Sequence, residues 1–190
     1  EAYEAFVAND PHHSKSPILQ VEVIEAYKQG GFPTLVLEGK KSFVERYGMD
    51  TAFWVRNSRD QNATVEAHLK DNLNDLAQYY HAEAQNEGDI GDYQEAAKWY
   101  RKYLNYFPRE ADSANTNFLL AEILFESNEF QAATDEYERT AYTYPNHEQS
   151  GEAAYAAILS YRQHEESLQG DAKTAWHQRY IDSGLRFGDT

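Results

Sequence analysis

The chain has 190 residues, 32 of them acidic and 17 basic, a net charge of −15 and no cysteine. That charge argues against nucleic acid or an anionic membrane as the primary partner, because both need a basic footprint. The lack of cysteine excludes disulfides, zinc-thiolate sites and thiol nucleophiles, and no apolar run reaches bilayer length, the longest being the alanine-rich 153–159.

In chain order, residues 1–8 read as the trailing helix of a preceding unit, and Asp10-Pro11-His12-His13 as a turn. Ser16 reads as an N-cap with Pro17 at the first helical position. That helix carries Leu19, Val23, Ala26 and Tyr27 to about Gln29, where Gly30-Gly31 stops it. Pro33 opens the next helix, to about Tyr47. Residues 49–62 form no obvious helix pair; Phe53 and Trp54 suggest a short helix with an aromatic plug, read as a packing insert in preference to a partner-docking element. From Thr64 to about Gln85, Val65, Leu69, Leu73, Leu76 and Tyr80 recur at helical steps. His81 to Asp92 reads as a long turn, and Asp92 with Glu95 as a capping box for a helix ending near Tyr106.

Phe118, Ala121, Leu124 and Phe125 mark one face of the following helix. Ser127 and Asn128 interrupt it, and Asn128 with Gln131 reads as another capping box. Phe130, Ala133, Tyr137 and Thr140 then return at helical steps until Pro145. Ser150 starts a helix through Ala154, Ala157, Ile158 and Tyr161. A charged turn is expected over 162–170, before a last helix with Ala172, Trp176, Tyr180 and Leu185.

These elements repeat. Adding 37 to Tyr93, Ala96, Tyr100, Tyr103 and Pro108 gives Phe130, Ala133, Tyr137, Thr140 and Pro145, and subtracting 97 from Pro145 gives Gly48. A period in this range marks a helical solenoid. The expected units are 1–11 (partial), 14–48, 63–108 after the insert at 49–62, 111–145 and 148–190, all in one domain. Neither end looks like a polar cap, so the chain is expected to be an excerpt of a longer protein.

The pattern resembles the tetratricopeptide repeat (TPR), a helix-turn-helix unit. Ala133, Tyr137, Thr140 and Pro145, and Ala96, Tyr100, Tyr103 and Pro108, follow its second-helix signature. Leu120-Ala121-Leu124 and Leu76-Ala77-Tyr80 follow the first. Tyr103 is larger than the family prefers, and Val36, Lys40 and Gly48 depart from the pattern. The resemblance implies an all-α fold, a right-handed superhelix of antiparallel helix pairs. It implies a concave face lined by Asp71, Asn74, Gln78, His81, Asn115, Phe118, Glu122, Phe125, Glu126, Tyr155 and Arg162. For Phe118, Phe125 and Tyr155 a core position is the alternative. Such an acidic, amide-rich groove suits a protein or peptide with basic and apolar groups. It does not suit the acidic tails held by the family's chaperone-tail binders.

The implied function is a non-catalytic interaction scaffold. The Tyr144-Pro145 and Phe107-Pro108 pairs look like those of bacterial periplasmic and outer-membrane-associated members, and so suggest an envelope complex. Alternatives are a regulatory or substrate-recruiting module of a larger enzyme, or a spacer that self-associates through open ends near Phe6 and Phe187. No cofactor is expected. The seven histidines are scattered, with His13 and His147 each two residues past a repeat proline, so a metal site is not expected either. Asn62-Ala63-Thr64 matches the glycosylation triplet, a pattern common by chance.

Overall fold

A computed structural model describes residues 2–144 and 147–188. Among these the chain is all-helical: ten α-helices, one 3-10 turn (Arg59–Gln61) and no strand. The helices are α1 (Ala2–Asn9), α2 (Ser16–Gln29), α3 (Pro33–Tyr47), α4 (Ala52–Arg56) and α5 (Ala63–Glu87). They continue with α6 (Ile90–Tyr106), α7 (Ser113–Glu126), α8 (Phe130–Tyr142), α9 (Ser150–Ser167) and α10 (Gly170–Gly188). Two compact units divide between Tyr79 and Tyr80, so α5 contributes to both.

In the first unit α1, α2 and α3 pack in sequence and α4 packs on α3. Its core holds Ile24, Phe43, Val44, Tyr47, Phe53, Leu69, Leu73 and Leu76. Residues 49–62 supply Phe53, fully buried against Tyr47 at 5.2 Å between ring centroids. Trp54 Nε1 donates to the Tyr47 carbonyl at 2.8 Å, and Asn57 Nδ2 donates to the His12 carbonyl at 3.1 Å. The insert is therefore bolted to the turn-proximal end of α3 as packing.

In the second unit α6 to α10 each pack against the next. Ala96, Ala121 and Ala133 are fully buried, and Tyr100 and Tyr137 are 2% exposed, so the small and aromatic positions of the repeat are core. Pro108 lies exposed just past α6, where a residue without an N–H cannot continue a helix. Pro145, its counterpart, falls outside the described residues.

The offset of 97 read from the sequence recurs in the bonding. Ser16 Oγ donates to the Asp10 carbonyl at 2.6 Å, and Ser113 Oγ to the Phe107 carbonyl at 2.5 Å. Gln20 Nε2 donates to the Gly39 carbonyl at 3.2 Å, and Asn117 Nδ2 to the Glu136 carbonyl at 2.7 Å. Gly31 (φ 74°) and Asn128 (φ 64°) both take the left-handed conformation between paired helices. Each ends its helix in a Schellman arrangement: Phe32 N donates to Tyr27 O and Gly31 N to Lys28 O, as Glu129 N does to Leu124 O and Asn128 N to Phe125 O.

Several element ends differ from expectation. Asn128 closes α7 instead of capping α8, because the left-handed residue belongs to the helix before it. Ser16 is the first helical residue, not an N-cap, and its hydroxyl braces the preceding turn, as does that of Ser150, which opens α9 as expected. Asp89, not Asp92, caps α6, accepting from Gly91 N at 2.7 Å. The long turns expected after His81 and Arg162 are instead extra turns of α5 and α9.

Candidate functional site

The first-helix residues of the second unit form a polar face from α5, α7 and α9. On α5, His81 sits half-buried with its Nδ1 3.0 Å from the Tyr100 hydroxyl of α6. One turn on, Gln85 Nε2 lies 3.2 Å from His81 Nε2 and donates to Glu126 Oε1 of α7 at 3.0 Å. A neutral His81 that accepts from Gln85 carries its proton on Nδ1, facing Tyr100. One turn before Glu126, Glu122 accepts a hydrogen bond from the Tyr137 hydroxyl of α8.

The electrostatics follow from this placement. Burial pushes the Glu122 carboxyl above its usual range, the Tyr137 bond opposes that, and the charges of Glu126 and Glu152 push it further up. The same three carboxylates, with burial first, raise the Tyr137 phenol. Glu152 of α9 therefore stands within electrostatic reach of the α7 pair. Burial lowers the His81 pKa, and the nearby Glu126 resists this. The result is a face on which Glu126 and Glu152 disfavour the charge of Glu122, an effect that an incoming cation relieves.

The structure thus brings together His81, Glu122 and Glu126, and adds Gln85 and Glu152. Tyr155 lies one turn from Glu152 and is 55% exposed, its ring 6.4 Å from Phe187. Arg162 is exposed further along α9. Phe118 is core: it is 5% exposed and packs on Tyr137 at 5.8 Å. Phe125 is half-buried against Phe130 at 5.3 Å. Asn115 is exposed and lines a separate cleft of about 1230 Å³ with Arg109, Arg139, Tyr144 and Glu148. Asp71, Asn74 and Gln78 belong to the first unit, where Asp71 and Gln78 are exposed and Asn74 half-buried on one face of α5.

Sequence reasoning overlooked Gln85 and Glu152. Each was signalled by helical spacing alone, four residues after His81 and three before Tyr155. No group of three or more histidines and carboxylates among the described residues is arranged to hold a metal. No described helix is long and apolar enough to cross a membrane. No family model matches the chain, and no curated protein matches it.

Proposed function

We propose that this chain is a non-catalytic interaction scaffold of TPR-like architecture, a right-handed solenoid of antiparallel helix pairs. It holds a partner segment on the acidic face of α5, α7 and α9. The segment carries Lys or Arg to meet Glu126 and Glu152 and an apolar group to lie on Tyr155. The observation that carries this reading is the placement of Glu122 and Glu126 one turn apart on α7, with Gln85 of α5 on Glu126 and exposed Glu152 of α9 within electrostatic reach of Glu122. The repeat signatures support the architecture, and the resemblance they carry suggests a bacterial envelope complex as the setting.

The test is titration of the full chain with a short peptide alternating Lys and Leu, against one alternating Glu and Leu. The basic peptide binds, weakens as salt rises, and loses about tenfold or more in affinity to Glu126→Lys/Glu152→Lys. Equal binding by the double variant sinks the acidic face as the site.

A second reading, self-association through the terminal helices, has one observation in its favour. Leu185 on α10 is 66% exposed, and Tyr3 and Phe6 on α1 are 51% and 40% exposed. A sedimentation mass that rises with concentration, and stops rising in Leu185→Ser, is its signature; a constant monomer mass removes it.

A further inference from the structure

The first unit holds a cleft of opposite character. It is about 810 Å³ and lies between the start of α3 and the second half of that unit's share of α5. Its walls are Phe32, Pro33, Val36, Leu37 and Tyr79. Two of these walls are themselves open to solvent: Phe32 is 55% exposed and Tyr79 44%. Solvent exposure of two large aromatic side chains at one apolar cleft is costly unless something covers them.

The α2–α3 turn is built to present Phe32. Gly31 supplies the left-handed residue. A Cβ on Gly30 would lie 2.6 and 2.8 Å from Phe32 ring carbons, so any other residue there would push the ring from its place over the end of α2.

The charge at the cleft is the second observation. Lys28 and Lys40 line it, against one carboxylate, Asp75, which pairs with Lys40. Lys40 lies half-buried, so its stem forms part of the apolar floor while its ammonium is held at the rim. Lys28 is exposed in the last turn of α2. In a chain of net charge −15 this is a basic rim on an apolar cleft. The other described clefts of the first unit line with Glu4, Glu22 and Glu25, or with Glu4 and Glu38 against Arg46.

We propose that this cleft docks an acidic amphipathic segment of a partner protein. Apolar side chains one helical turn apart enter between Phe32, Leu37 and Tyr79, and a flanking carboxylate meets Lys28. The size of the cleft selects a peptide over a small organic acid, because about 810 Å³ between exposed Phe32 and Tyr79 leaves room for side chains one helical turn apart. The charge preference is the reverse of that on the acidic face of the second unit. The chain then carries two docking sites of opposite sign on its two units, and either can fail without the other.

The experiment uses the full chain and two labelled helical peptides of one apolar pattern, one with Glu and one with Lys on the polar flank. Affinities are read by fluorescence anisotropy for the parent, for Lys28→Glu and for Phe32→Ser. Both substituted positions are exposed, and unchanged far-ultraviolet circular dichroism confirms that the variants fold. The acidic peptide is expected to bind the parent and to lose about fivefold or more to each variant, while Glu126→Lys/Glu152→Lys leaves it unchanged. Octanoate at millimolar concentration should not displace it. Failure of the acidic peptide to bind, indifference to both substitutions, or displacement by octanoate overturns the proposal.

Discussion

At the scale of single residues, Tyr137 joins the two roles of the repeat. Its ring packs on Phe118 in the core and its hydroxyl reaches Glu122 on the polar face. Tyr137→Ala removes both and should cost about 3–5 kcal/mol in urea unfolding. A loss under about 1 kcal/mol would say the ring is not a core plug. His81 gives a pH dependence of defined sign. Burial holds its folded pKa below the ordinary 6.5, so below about that pH the unfolded chain binds more protons. Stability from this group is then lost as pH falls. Glu122 and Glu136, both raised by burial, act oppositely: the folded state holds the extra proton just above the ordinary 4.5, so stability is gained as pH falls there. His81→Gln should flatten the decline in urea midpoint between about pH 7.5 and 5.5. An unchanged decline would assign it to another group.

At the scale of elements, the turns decide the register of each helix pair. Asn128→Gly should be neutral or stabilising, while Asn128→Ala should cost about 1 kcal/mol, since a Cβ without a polar group is strained at φ 64°. Equal effects of the two would mean that the turn relaxes to another conformation. This residue also shows what the sequence could and could not specify. Helix pairs and the 37- and 97-residue offsets were legible because apolar spacing repeats along the chain. Cap roles were not, because asparagine suits both an N-cap and a left-handed C-terminal position, and only the hydrogen bonds distinguish them. Likewise, Phe118 and Phe125 both fell on the expected groove side. Their burial is set by Tyr137 and Phe130, which approach from another helix. Glu122 and Glu126 were legible because they fall one turn apart on the expected groove side of α7, whereas Glu152, one turn before Tyr155, was passed over. Gln85 was missed because it stood at the expected end of its helix, whereas α5 continues to Glu87 and ends at Gly88, where φ is 69°.

At the scale of the whole molecule, charge is unevenly shared. Residues 80–190 hold 20 acidic and 9 basic side chains, whereas residues 1–79 hold 12 and 8. The acidic face and the basic-rimmed cleft fall on the correspondingly more and less negative units, so raised salt should weaken both docking reactions while leaving the apolar share of each.

The paired bonds of Ser16 and Gln20, and of Ser113 and Asn117, have an evolutionary and practical consequence. Each bond closes within its own hairpin and the turn just before it, so each hairpin carries the instructions for its own geometry. Such a segment behaves as a cassette: residues 16–43 and 113–140 are equal in length and share these fastenings. A chain in which 16–43 replaces 113–140 should keep its helical content and still place Gln20 of the copied segment under the carbonyl of its own second helix. Loss of helicity greater than that one segment would show that neighbours, and not the cassette, dictate the pairing. Retained helicity in that chain would make the hairpin the unit by which this protein can lengthen or shorten.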